Sequence, residues 1–167
     1  YRSQKRGGKG VVGMDTKEDD FVEHLFVANT HDYLLFFTNK GRVFRLKAWE
    51  VPDLSRTARG TPVINLIQID QDETINAVIP VASFDTDQYL FFATRKGIVK
   101  KTPLADYANI RKVGLIAITL REDDDLIAVR LTDGSREIIM GTARGMSIRF
   151  PESDVRPMTR GATGVKG

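Results

Sequence analysis

A threefold repeat restricts the fold of this chain more than any other feature. YLLFFTNKGRVFRLK (33–47), YLFFATRKGIVKKTP (89–103) and EIIMGTARGMSIRFP (137–151) each carry an apolar run, then Thr, a variable residue, Lys or Arg, and Gly, then a run of mixed apolar and basic residues. The glycines Gly41, Gly97 and Gly145 are spaced 56 and then 48 residues apart. β-Branched and aromatic residues around a short turn, with Gly where φ > 0 is needed, predict a β-hairpin in each copy. A second element recurs between the hairpins. An acidic pair precedes an apolar strand: Asp19-Asp20 before FVEHLFVAN, Asp72-Glu73 before TINAVIPV, and Asp124-Asp125 before LIAVRLT. Ahead of that pair stands a further candidate strand, PVINLIQI (62–69) in one repeat and LIAITL (115–120) in the next.

Each unit of roughly 50 residues therefore offers about four short strands, and helical periodicity is nearly absent. Only AWEVPDLS (48–55) and LADYANI (104–110) have room for a helical turn. Four strands per unit of this length predict an all-β chain with the blades of a propeller, each burying its faces against its neighbours. The units are approximately 1–60, 61–114 and 115–167, read as one partial domain. Propellers close with roughly four to eight blades, so three hairpins amount to part of a larger ring, with an exposed edge.

The charges follow the repeat. A net charge of +3, from 25 Lys and Arg against 22 Asp and Glu, demands no nucleic-acid partner by itself. Position is more informative. Lys40, Lys96 and Arg144 stand just before the turn glycines, and Arg45, Lys101 and Arg149 stand four residues after them. An even spacing in a strand puts each second cation on the same face. The acids cluster at the other turn of each unit, so repetition around an axis predicts a basic band and a separate acidic rim. The plainer reading, that charged hairpin tips keep sheet edges soluble, does not require this sorting by sign. A curved surface with a cation on every blade suits a polyanion that bends along it. Lysines and arginines gain affinity for duplex DNA by releasing its counterions, without reading bases. With no zinc-ligand spacing, helix-turn-helix or aromatic single-strand platform, the pattern favours sequence-tolerant duplex binding.

Gln4-Lys5-Arg6-Gly7-Gly8-Lys9-Gly10 concentrates cations and glycines near the start. It is not a nucleotide P-loop, which needs G-x-x-x-x-G-K followed by Ser or Thr, opening a helix. A flexible leader is the alternative. Against that, shorter copies recur at Arg59–Val63, Arg111–Leu115 and Arg160–Val165, which makes the segment a blade-joining loop in its fullest form. Its glycines would let backbone N–H groups of Gly7, Gly8 and Gly10 approach a phosphate that Arg6 and Lys9 pair with.

These residues also carry a resemblance. Gln4–Gly10 resembles the QRRGGKG box of the C-terminal domain of the DNA gyrase A protein; only Lys5 departs, keeping the charge but losing the guanidinium fork. FFTNKGRVFRLKAWEVP, FFATRKGIVKK and GTARGMSIRFPESDVRP are similar to that domain as well, so the likeness spans the whole chain. The corresponding topoisomerase IV protein shares the fold with a degraded or missing box and is the second family candidate. A propeller acting as a protein-interaction platform remains the alternative from a different class. The resemblance implies a β-pinwheel, a six-bladed propeller variant with strands exchanged between blades, of which about three blades are present here. It implies a basic perimeter that wraps DNA in a positive-handed crossing, so that the rest of the enzyme introduces negative supercoils with ATP. Lys5, Arg6, Gly7, Gly8, Lys9 and Gly10 then belong to the box. Partners would be duplex DNA, the breakage-reunion domain of the same polypeptide, and the ATPase protein of a heterotetramer. The setting would be the bacterial cytoplasm, at the nucleoid. ATP and Mg2+ would be bound by other domains, and this segment would need no cofactor or metal of its own.

The family's catalytic tyrosine lies in the breakage-reunion domain, so no catalytic residue is expected here. Tyr1, Tyr33, Tyr89 and Tyr107 read as fold or surface aromatics. His24 and His31 lack a third ligand, and Glu122–Asp125 lacks the spacing of a calcium loop.

Overall fold

The computed structural model describes residues 3–10, 14, 21–55 and 58–167. The three predicted hairpins are present. They are β1 (Tyr33–Thr38) with β2 (Arg42–Lys47), β4 (Tyr89–Thr94) with β5 (Ile98–Pro103), and β8 (Glu137–Gly141) with β9 (Ser147–Pro151). Gly41, Gly97 and Gly145 adopt φ of +79°, +80° and +81°, the left-handed backbone their turns require. The threonine of each motif has a matching task. Thr38, Thr94 and Thr142 accept through Oγ1 the N–H of Arg42, Ile98 and Met146 at 3.2, 3.1 and 3.2 Å, closing the turn.

The remaining strands are β3 (Ile75–Val81), β6 (Leu115–Ile116), β7 (Leu126–Thr132) and β10 (Val165–Lys166). They assemble into two four-stranded antiparallel sheets, β3-β1-β2-β6 and β10-β5-β4-β7, beside the two-stranded β8-β9. The two large sheets repeat each other in register. Tyr33 faces Val81 and Tyr89 faces Thr132, and both ladders bulge just before the motif threonine. On one side, each of these hairpins takes its outer strand from the repeat that follows. On the other side it takes the short strand that leaves a later glycine-turn copy, β6 after Gly114 and β10 after Gly164. A sheet built this way ties successive units together.

Several expected strands differ from the structure. FVEHLFVAN carries no strand over Phe21–Asn29, whereas the corresponding β3 and β7 each pair with the hairpin that precedes them. PVINLIQI forms a single 3-10 turn at Val63–Asn65, and only the first two residues of LIAITL pair. The anticipated helical turns appear as 3-10 turns at Ala48–Glu50 and Leu104–Tyr107.

The apolar runs of the hairpins do not alternate because their sheets are covered on both faces. Leu35, Phe37 and Val43 meet Leu90, Phe92, Tyr107, Leu126 and Val129 in the largest cluster, where the Phe37 and Phe92 rings cross edge-on at 5.6 Å. On the opposite face of the first sheet, Leu34, Phe36 and Phe44 pack on Ile67. Beyond the second sheet, Phe91 and Val99 pack on Val155. Sheet, core, sheet and core succeed one another as blades do. No described helix is long and apolar enough to cross a membrane.

Candidate nucleic-acid interface

The glycine-rich segment is exposed from Ser3 to Gly10. A turn closes it where the Gly8 N–H donates to Lys5 O at 2.9 Å, and Gly7 and Gly10 have φ of +82° and +76°. A methyl group on Gly7 or Gly10 would meet nothing within 4 Å, so these glycines answer to backbone conformation and not to crowding. Lys5, Arg6 and Lys9 form no ion pair with any described residue.

Two of the copies are built into the sheets. In Arg111–Leu115, Gly114 N–H closes the same kind of turn on Arg111 O at 2.9 Å, and Leu115 then starts β6 against β2. In Arg160–Val165, Ala162 N–H closes on Thr159 O at 3.1 Å, and Val165 starts β10 against β5. The two loops are neighbours. Thr119 donates its hydroxyl to Gly161 O at 2.7 Å, and the Lys100 ammonium donates to Ala117 O at 2.6 Å and also to Arg160 O. Lys100 is fully buried on β5. Burial, helped by the nearby Arg160 charge, pulls its ammonium down to about 8. The side chains of Arg59, Arg111, Lys112 and Arg160 form no ion pair with described residues.

The hairpin cations fare differently. Lys40 donates to Asp72 at 2.7 Å, a bond that raises the lysine's pKa and lowers the carboxyl's. Arg42 reaches Glu73 at 2.9 Å and Asp70 at 3.5 Å, while Glu73 also accepts the Thr38 hydroxyl at 2.7 Å. On the second hairpin Arg95 pairs with Asp125 at 3.1 Å, and the Lys96 ammonium donates to Glu122 O at 2.8 Å. Asp124 accepts the Lys96 and Asp125 N–H groups. Burial opposes its charge, yet these bonds and the Thr94 hydroxyl keep its carboxyl below the usual range. The anticipated separation into a basic band and an acidic rim is therefore corrected. Antiparallel pairing of β3 on β1, and of β7 on β4, carries each acidic turn to the tip of the preceding hairpin, where the two signs interlock.

The second cations do share a face, with Arg45 opposite Leu35, Lys101 opposite Phe91 and Arg149 opposite Ile139. That face is not a free basic surface. Arg45 lies 5.1 Å from the Tyr33 ring and donates to Ala108 O at 2.6 Å. Lys101, only 4% exposed, lies 5.0 Å from the Tyr89 ring and donates to Glu152 O at 2.9 Å. Each second cation of these two hairpins thus bonds a carbonyl at the 3-10 turn that follows the next hairpin, Leu104–Tyr107 for Arg45 and Glu152–Asp154 for Lys101, tying one blade to another. Arg149 pairs with Glu137 on its own hairpin. Of the six, only Arg144 has no ion-pair or hydrogen-bond partner among the described residues. Sequence reasoning missed these ties because nothing in the spacing showed which carbonyl or ring would lie above a cation.

Tyr33, Tyr89 and Tyr107 each have a partner in the fold. Tyr33 lies beneath Lys47 at 3.4 Å, whose hydrogen bond and charge lower its phenol. Tyr107 is buried, donates to Ala117 O at 3.0 Å, and burial raises its hydroxyl strongly. Tyr1 lies outside the described residues, as do Asp19 and Asp20. His31 meets the Trp49 ring edge-on at 5.8 Å. Among the described residues, no three His, Asp or Glu side chains are grouped to hold a metal ion.

A family model for the DNA gyrase C-terminal domain, beta-propeller, matches residues 1–29, 32–82, 88–133 and 136–167. The DNA gyrase A protein of Halalkalibacterium halodurans is 62% identical over 167 residues, covering all of this chain and 20% of that protein. Two solved structures are similar in fold. The C-terminal domain of a DNA topoisomerase IV is 41% identical over 83% of this chain and 43% of its own, with a TM-score of 0.77. A DNA gyrase A C-terminal domain is 28% identical over 100% of this chain and 53% of its own, with a TM-score of 0.74. The chain therefore spans about a fifth of the curated relative and about half of these two domains.

Proposed function

Because the chain belongs to the DNA gyrase C-terminal domain family, we propose that it binds and wraps duplex DNA in a sequence-tolerant way. One observation carries this reading. Among the described residues, the cations without ion-pair partners include those of the glycine-rich segment and its copies: Lys5, Arg6, Lys9, Arg59, Arg111, Lys112 and Arg160. Guanidinium and ammonium groups beside glycine turns contact phosphates and position a duplex without reading its bases. Repeated from blade to blade, such contacts would offset the few kcal/mol that bending about 20–30 base pairs costs.

In the whole protein, the wrapped segment would feed a positive-handed crossing to a breakage-reunion domain of the same polypeptide. A separate ATPase protein would drive strand passage, with ATP and Mg2+ bound there and not on this segment. The parent would be an ATP-dependent type II topoisomerase acting at the nucleoid in the bacterial cytoplasm, and this segment would contribute no catalytic residue. A topoisomerase IV-type role is the second reading, favoured by the 41% identity to a solved domain of that enzyme. The nearly complete box speaks for the gyrase type. In the intact enzyme, Arg6→Ala combined with Lys9→Ala should abolish negative supercoiling and leave relaxation; unchanged supercoiling would sink the wrapping role. Duplex binding by this chain should weaken steeply with salt, whereas an interaction platform would ignore DNA at every salt concentration.

A further inference from the structure

The first two hairpin tips sit in the same three-part setting. At the first, Gly41 O accepts from Ala117 and Ile118 N–H at 2.8 and 3.2 Å, and Arg42 donates to Val113 O at 2.7 Å. The tip is thereby stitched to the loop bearing Arg111 and Lys112. At the second, Gly97 O accepts from Gly167 N–H at 2.9 Å and β5 carries β10, so this tip abuts the loop bearing Arg160 and the strand bearing Lys166. An acidic turn faces each tip, 70–73 at the first and 122–125 at the second. In both settings these neighbouring cations form no ion pair among the described residues while the tip cations are held, Lys40 by Asp72 at 2.7 Å and Arg95 by Asp125 at 3.1 Å.

A carboxylate and a phosphate compete for the same cation, and these carboxylates are exposed at the tip. A duplex seated on the loops can engage Lys40 or Arg95 only by exchanging with them. We propose that Asp72 and Asp125 act as intramolecular phosphate mimics. They withhold the hairpin-tip cations from DNA, so that the glycine-turn loops alone set where the duplex sits. This rests on the DNA-binding reading above and deepens it. A cation held by a carboxylate neutralises no phosphate and so releases no counterion from the DNA, and the withheld tips thereby make binding less dependent on salt than the raw cation count implies.

The test is the salt dependence of linear-duplex binding by this chain, read by fluorescence anisotropy. Asp72→Asn with Asp125→Asn removes two charges at the tips. Asp85→Asn with Asp87→Asn removes the same charge at the far end of β3 and serves as the control. The tip variant should bind about three- to tenfold tighter, with a log–log salt slope steeper by about two, each freed cation adding about 0.9. The control should leave the slope unchanged. Lys40→Gln should change little alone yet remove about half of the gain in the tip variant, a coupling that a general charge effect does not produce. A tip variant whose slope matches the wild type, or a control that steepens it equally, overturns the proposal. Wild-type chain that ignores duplex at low salt overturns the DNA-binding reading, and this inference falls with it. Both carboxylates are at the surface, and an unchanged thermal melt of each variant confirms that its fold is intact.

Discussion

Gly164 and Gly145 both have left-handed backbone, with φ of +107° and +81°, but a methyl group would meet different surroundings at each. At Gly164 it would lie 2.4 Å from Val99 O, whereas at Gly145 nothing stands within 4 Å. Gly145→Ala should therefore cost about 1–2 kcal/mol, the conformational penalty alone. Gly164→Ala should cost about 3 kcal/mol or more, because overpacking adds to it. Urea midpoints of the two variants measure the difference. The cations divide in a similar manner. Lys101→Ala removes a buried donor from Glu152 O and should destabilise the fold by about 1–3 kcal/mol. Its salt slope for DNA binding should stay at the wild-type value, since an ammonium turned into the molecule neutralises no phosphate and releases no counterion from the DNA. From sequence, Lys9 between Gly8 and Gly10 and Lys101 between Lys100 and Thr102 both read as cations available to a phosphate. Only the location of Glu152 O and the Tyr89 ring separates a blade tie from a phosphate contact.

At the scale of elements, Lys100 shows how one strand fastens two loops. Its ammonium bonds Ala117 O and Arg160 O, which belong to successive glycine-turn segments. Its proton affinity falls to about 8 in the fold, well below an ordinary lysine, so between about pH 8 and 10 the unfolded chain holds more protons. Stability should accordingly rise with pH across that window. Above about pH 10 the trend should reverse, because buried Tyr107 keeps a proton that the unfolded chain gives up. Lys100→Met should flatten the rise, as measured by urea midpoints at pH 7.5 and 9.5. The corresponding residue of the first hairpin is Phe44, opposite Phe36 as Lys100 is opposite Phe92. One site uses an aromatic ring and the other a buried amine, and alignment of the repeats alone does not foretell the exchange.

In the whole molecule, each large sheet draws strands from successive repeats and buries both faces, so cohesion comes from contacts between units. Phe37, which meets both Phe92 and Tyr107, is one such contact. Phe37→Ala should cost about 3–5 kcal/mol and lower the single cooperative melt of both sheets together, not that of one sheet alone. The all-β class, the three hairpins and their glycine turns were legible in the sequence because they rest on local rules: strand periodicity, β-propensity and the backbone freedom of glycine. The turn-and-strand copies at Arg111–Leu115 and Arg160–Val165 were legible as well, because their composition repeats, whereas Arg59–Val63 leads into a 3-10 turn and no strand. The partners of strands β3, β6, β7 and β10, the interlocking of acidic turns with hairpin tips, and the inward turn of Arg45 and Lys101 were decided by tertiary structure. Antiparallel pairing between strands more than thirty residues apart brought those groups together, and a charge pattern along the chain carries no record of which charges such pairing will make neighbours.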